Sequence, residues 1–249
     1  RKNRPVTHED PFTFGFVGTW QRRKGVHDLL RAYFGAFRRE EPVVLRIKTS
    51  ALFDAHLTLR KLRDKLVAEI AGVAREFGDN DFPASRRMPK ITLDLGTELT
   101  DKQLIEYIGD FDAFANPSYG EGLGIPHTWA KAQGVPMITT GYGAIGDLLH
   151  ELASHTRSTQ DSVIDWKLAP VDPEVLRATL MFDRDTCWGT YDPAAFGQAM
   201  RQQFVEGRRF DVGAARTTRS LFGRNGCVGE VKHGLKTLLP ERWAKEWDL

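Results

Sequence analysis

Two short stretches concentrate the residue types that bind anionic, hydroxyl-bearing ligands. The first, Thr19-Trp20-Gln21-Arg22-Arg23-Lys24-Gly25, puts three consecutive cations just ahead of an apolar-periodic segment. A helix N-terminus favours anions, so cations there conflict with the macrodipole unless an anion joins them. A bound phosphate resolves the conflict, with backbone N–H groups and the Lys24 ammonium converging on it. Taken alone, the run reads more simply as a solvated basic turn. The second stretch, Pro117-Ser118-Tyr119-Gly120-Glu121-Gly122-Leu123-Gly124-Ile125-Pro126, has three glycines in five residues and a single acid. Its glycines let backbone approach a ligand closely and open the following helix. Glu121 alone is equally readable as a helix cap. The pairing of the two loops is more informative. Cations and helix N–H groups suit a diphosphate, and a carboxylate suits the hydroxyls of a sugar attached to it.

Strands and helices alternate around these loops. Pro11–Gly18 (PFTFGFVG) reads as a buried strand, and Gly25–Glu41 carries apolar residues at helical steps. Strands follow at Pro42–Thr49, Ile91–Leu95, Phe111–Asn116 and Val135–Thr140, with helices at Leu57–Phe77, Asp101–Ile108 and Gly124–Gln133. Strands joined through helices require crossover connections, hence a doubly wound parallel α/β sheet. From about Ala144 onward the pattern is helix-rich, with periodic segments at Ala194–Val205, Val212–Phe222 and Val228–Leu238. In such a sheet the ligand sits beyond the carboxyl ends of the strands. The segments to question are therefore Gly18–Gly25, Lys48–Ser50, Gly96–Leu99, Pro117–Gly124 and Gly141–Asp147.

The run FGFVGTWQRRKGVHDLLRAYFGAF, followed by LGTELTDKQLIEYIGDFDAFANPSYGEGLGIPHTWAKAQGVPMITT, resembles the donor-binding half of a GT-B glycosyltransferase of family 4, the glycosyl transferases group 1. The match covers Phe12 to Leu239, and its most specific part is Pro117–Thr140. It implies a Rossmann-like donor domain over residues 11–239, a polar stub at 1–10 and a tail helix at 240–249. It also implies retaining transfer from a nucleotide sugar without a metal or other cofactor, and an N-terminal acceptor-binding domain as the missing partner. By that resemblance Lys24 neutralises the departing diphosphate and Glu121 holds donor-sugar hydroxyls. Thr19, Arg22, Arg23, Ser118, Gly122, Leu123, Gly124 and Trp129 complete the donor site, with Gly96, Thr97 and Leu99 at the base. Two positions depart from the family pattern. Thr19 stands where an Arg usually forms a second diphosphate clamp, and Trp129 stands where a second Glu usually binds ribose. Indole donates one hydrogen bond and accepts none, so Trp129 cannot replace that carboxylate. A non-catalytic nucleotide-sugar-binding or assembly module is therefore the alternative.

Other features carry less. Gly141-Tyr142-Gly143-Ala144-Ile145-Gly146 fits G-x-G-x-x-G, but it follows the fifth predicted strand, whereas a dinucleotide fingerprint sits at the first βα turn. His150-Glu151 and His155 imitate a zinc helix with the second His one position too far. Trp243 and Trp247 read as a packing stripe, and His127 as a packed histidine. With 35 Lys and Arg against 33 Asp and Glu, bulk charge does not select a polyanion such as nucleic acid. Two cysteines exclude a disulfide scaffold and a zinc site with four cysteine ligands. No apolar run reaches the ~18 to 20 residues that span a bilayer. The expected location is the cytoplasm or the cytoplasmic face of a membrane. The polar start, Arg1-Lys2-Asn3-Arg4-Pro5, reads as the edge of a piece cut from a longer chain.

Overall fold

The computed structural model describes residues 5–50, 58–96, 98–155, 160–178 and 185–223. Its first strand is β1 (Phe12–Val17), all six residues of which are buried, as a central parallel strand covered on both faces requires. The chain continues through α1 (Val26–Ala36), β2 (Val43–Lys48), α2 (Leu59–Glu76), β3 (Lys90–Asp94), α3 (Asp101–Gly109) and β4 (Ala113–Asn116). It then runs through α4 (Ile125–Ala132), β5 (Met137–Thr140), α5 (Ala144–His155) and β6 (Ser162–Ile164). These six strands form one parallel sheet in the order β3-β2-β1-β4-β5-β6. The doubly wound reading from sequence is correct. The order reverses between β1 and β4, which pair with Phe14 opposite Ala113. In an open α/β sheet that reversal opens a crevice at the carboxyl ends of the two strands.

Local signals explain the boundaries. The Thr58 hydroxyl caps α2, and Thr100 with Gln103 forms a reciprocal capping box on α3. Helix α1 stops five residues before the expected Glu41, because Phe37 turns extended and enters the core. Past β5 the sequence reading missed β6 and a second, antiparallel pair, β7 (Trp166–Pro170) with β8 (Cys187–Tyr191). At three residues β6 is too short to show a period, and β7 finds its partner only after the short helix α6 (Pro173–Ala178). Of the three late helices expected, α7 (Pro193–Glu206) and α8 (Val212–Phe222) are present. The segment 228–238 and the Trp243/Trp247 stripe lie outside the described residues.

Two apolar clusters hold the sheet. The larger joins Phe12, Phe14 and Phe16 of β1 to Leu29, Leu30, Tyr33 and Phe34 of α1 and to Phe196 and Met200 of α7. The smaller gathers Ile108, Phe111, Phe114, Ala130, Val135 and Met137. Each fully buried Leu, Phe or Met side chain contributes roughly 1.5 to 3 kcal/mol. Helix α7 returns onto α1 and α8 onto α4, so the C-terminal helices cover the sheet's own helices. At the opposite end of the sheet from the crevice, Arg208 ties down the segment before β1. Its guanidinium donates to the carbonyls of Pro5, Asp10 and Pro11 and to the Asp112 carboxylate.

Candidate functional site

The loops that leave β1 and β4 meet in the crevice between these strands. After β1, Arg22–Lys24 form a single 3-10 turn, and Gly25 then reverses the chain into α1 with φ +68°. A Cβ on Gly25 would lie 2.4 Å from the Pro117 carbonyl oxygen, so only glycine lets the cationic loop touch the second loop. Backbone and hydroxyl bonds fix that contact. The Tyr119 N–H donates to the Arg23 carbonyl at 2.8 Å, and the Ser118 hydroxyl reaches the same carbonyl at 3.1 Å. Gly124, at φ +66°, then starts α4, whose N-terminus faces the crevice.

This docking brings the expected charged groups together. Lys24 Nζ lies 2.5 Å from Glu121 Oε1, and Arg23 lies 3.5 Å from Glu121 Oε2 while also donating to the Gly120 carbonyl. Both partners of the closest pair are largely buried, with 13% of the Lys24 side chain and 8% of the Glu121 side chain exposed. Burial acts to raise the Glu121 carboxyl, but the Lys24 hydrogen bond and charge, with His127 and Ser118, hold it below the ordinary carboxylate value. Arg22 turns to Asp172 at 3.5 Å. The three cations thus find carboxylates, which answers their apparent conflict with the α1 dipole. They precede the helix, and its own first turn carries Asp28.

His127 is fully buried beneath the glycine loop, edge-on to Phe114, with Nε2 3.4 Å from the Asn116 carbonyl. Burial pushes its imidazole down to about 4 against the attraction of Glu121, so the ring is neutral at pH 7. The packed-histidine reading therefore holds, with the ring directly supporting the loop.

A cleft of ≈ 390 Å³ opens beside Glu121. Arg23, Glu121 and Gly122 line one side, and Tyr142, Cys187 and Trp188 the other. Nothing in the sequence marked these last three residues as a group. Tyr142 belongs to the Gly141–Gly146 segment, whose place after β5 aims it at the same crevice. Cys187 and Trp188 arrive on β8, which was not foreseen. Trp188 stacks near Tyr119 at 5.0 Å, and the Gly189 N–H donates to the Tyr119 carbonyl at 2.9 Å, so this hairpin braces the glycine loop.

The remaining predicted residues are placed as follows. Thr19 gives its carbonyl to Gln21, and the adjacent Trp20 indole is anchored 2.7 Å from Glu69 of α2. Gly122 and Leu123 are exposed on the rim of the glycine loop. Trp129 is half-buried against the cluster of Ile108, Phe111 and Phe114, with Leu104 and Tyr107 of α3 beside it. Gly96 and Leu99 follow β3, two strands from β1, and Gly96 borders a separate hollow of ≈ 890 Å³ between α2 and β3. The structure does not bring them next to Glu121, and Thr97 lies outside the described residues. His155 Nδ1 is 3.5 Å from Glu151 rather than poised for zinc, and no group of three metal-ligating side chains occurs among the described residues. No helix among them is long and apolar enough to cross a membrane.

No family model matches the chain, and neither does any curated protein. Solved structures do match. Sucrose-phosphate synthase from Thermosynechococcus elongatus is 17% identical with a TM-score of 0.56, over 95% of this chain and 48% of that one. An E. coli structure described as trehalose-6-phosphate bound with UDP-2-fluoro glucose is 11% identical with a TM-score of 0.55, over 96% and 49%. The pneumococcal O-GlcNAc transferase GtfA, in complex with UDP and GlcNAc, is 15% identical with a TM-score of 0.51, over 91% and 36%. The chain thus spans less than half the length of each. Its six-stranded parallel sheet flanked by helices is the Rossmann-like α/β fold found in GT-B glycosyltransferases.

Proposed function

We propose that the chain binds a nucleotide-sugar donor at the β1/β4 crevice and serves retaining, metal-independent glycosyl transfer as the donor-binding half of a family 4 enzyme. The observation that carries this reading is the meeting of Lys24, Arg23 and Glu121 under a glycine loop at the strand-order reversal. In the reaction the bond from the anomeric carbon to the diphosphate oxygen breaks, an acceptor hydroxyl oxygen bonds to that carbon, and the hydroxyl's proton passes to the departing diphosphate. Negative charge grows on the leaving diphosphate, where Lys24 and the α4 N-terminus stabilise it without reorganising. Glu121 accepts hydrogen bonds from the sugar hydroxyls, and the N–H groups of Gly122–Gly124 assist at phosphate or sugar. The acceptor comes from a separate N-terminal domain, whose closure excludes water. Thermal shift with a panel of UDP-, GDP- and ADP-sugars tests the reading against NAD(H). At 100 times its dissociation constant the bound donor adds about 2.7 kcal/mol of stability. A shift with NAD(H) alone would replace this reading with a Rossmann oxidoreductase.

The second reading is a donor domain retained for binding or assembly without turnover. Trp129 favours it, because an indole packed against the core offers no acceptor to a ribose. Thr19 adds no cation. Each missing charge-assisted contact is worth about 1.5 to 3 kcal/mol. Donor binding with no transfer, even with an acceptor half supplied, would favour this second reading.

A further inference from the structure

The cations of the Arg22–Lys24 turn do not wait in solvent for an anion. Glu121 reaches across from the glycine loop and lies between Lys24 at 2.5 Å and Arg23 at 3.5 Å. Arg22 is engaged at 3.5 Å by Asp172, but that pair is far more exposed and correspondingly weak. We propose that Glu121 is an internal competitor for the phosphate-binding cations, and that this makes the site select ligands carrying hydroxyls beside their diphosphate over the same diphosphate alone. The inference rests on the reading that a diphosphate is held by Lys24.

The physical basis is the burial of the pair. A phosphate arriving at Lys24 must draw Nζ away from a carboxylate that is only 8% exposed. A largely buried carboxylate deprived of its cation is costly, because water cannot re-solvate it fully. A glycosylated diphosphate brings O–H donors that replace the lost ammonium at Glu121. A free nucleoside diphosphate keeps only its ribose hydroxyls, on the far side of the diphosphate from the missing sugar, and pyrophosphate has none, so neither replaces the Lys24 ammonium at Glu121, which is left with Arg23 at 3.5 Å. Glu121 therefore weakens the second class of ligand while supporting the first. After transfer, the diphosphate left behind has lost its sugar, and Glu121 reclaims Lys24 and hastens its departure.

Calorimetric titration of wild type, Glu121→Gln, Glu121→Asp and Lys24→Met with UDP, GDP, ADP, their glucose conjugates and inorganic pyrophosphate tests this. Glu121→Gln keeps the shape and removes the charge. It is expected to bind nucleoside diphosphate and pyrophosphate about tenfold more tightly than wild type, the lower end of what one charge-assisted hydrogen bond supplies. Its affinity for the nucleotide sugar stays the same or falls, so the preference for the glycosylated ligand collapses. Glu121→Asp, drawn back by one methylene, gives a smaller change of the same sign and covers a poorly folded Gln variant. Equal or weaker diphosphate binding by both variants overturns the proposal while leaving the donor site standing. Diphosphate binding by Lys24→Met that matches wild type overturns the donor-site reading itself, and the competition with it.

Discussion

Gly25→Ala is the substitution that tests most sharply whether the two loops form one site. Gly25 closes the cationic turn and opens α1 at φ +68°, a conformation that costs an alanine about 1 to 2 kcal/mol. Sterics add to this. The new Cβ would sit 2.4 Å from the Pro117 carbonyl oxygen, well inside ordinary van der Waals contact, and the obstacle is backbone rather than a pliable side chain. The loops must separate, and with them Lys24 and Glu121. Stability should fall by about 2 to 3 kcal/mol in urea denaturation, from the left-handed conformation and the clash together. A displacement of about 1 Å in a positioned group costs roughly a hundredfold in a reaction that needs it, so nucleotide-sugar affinity should drop at least about tenfold. Gly122→Ala is the control. Its Cβ would meet nothing within 4 Å and its φ is not positive, so stability should stay within about 0.5 kcal/mol. A Gly25→Ala protein with the stability and donor affinity of wild type would refute the loop-docking argument.

Three further predictions follow from other parts of the structure. Lys131 and Asp161 are 0% and 1% exposed and joined at 2.9 Å, and Asp161 also accepts from the Met137 N–H, so Asp161→Asn strands a buried ammonium behind the site helix and should cost about 3 to 5 kcal/mol in chemical denaturation. His127, held at about 4 in the folded chain against 6.5 unfolded, contributes stability that is complete above pH 6.5 and is lost as pH falls towards 4, because the unfolded chain then binds the extra proton. Between pH 7 and 5 that loss is about 2 kcal/mol, and His127→Gln should lack it; identical pH profiles for the two proteins would contradict the assignment. Nucleotide-sugar turnover by this chain alone should be negligible and should recover when an N-terminal acceptor half is added, as product assays with and without that half will read.

What was legible in the sequence was what repeats or stands at fixed offsets. The apolar run of β1 and the helical steps of α1 and α2 lie within single windows, and each element formed close to its expected place. The Lys24–Glu121 meeting was anticipated only as two loops at neighbouring strand ends, since 97 residues separate the partners. Strand order made them neighbours. What stayed hidden depended on pairing at a distance. Strand β8 pairs with β7, and its Trp188 and Cys187 reach the cleft only through that pairing. Trp129 shows the same limit. Its offset from Glu121 set it where the resembling family places a ribose-binding Glu, and its packing against the cluster that contains Ile108 and Phe114 is a long-range contact that no offset reports. Gly96 was grouped with the site by the family resemblance, at the base, and the order β3-β2-β1, which sets its loop two strands from the cationic turn, could not be read from any single window.

The most direct measurement of the central claim is amide hydrogen exchange with and without a saturating nucleotide sugar. The account predicts protection in two separate peptides, one over Arg22–Lys24 and one over Tyr119–Gly124, with a lesser effect at Tyr142–Gly143 across the cleft. Protection confined to Gly141–Gly146, or no protection at either the cationic turn or the glycine loop, would contradict it.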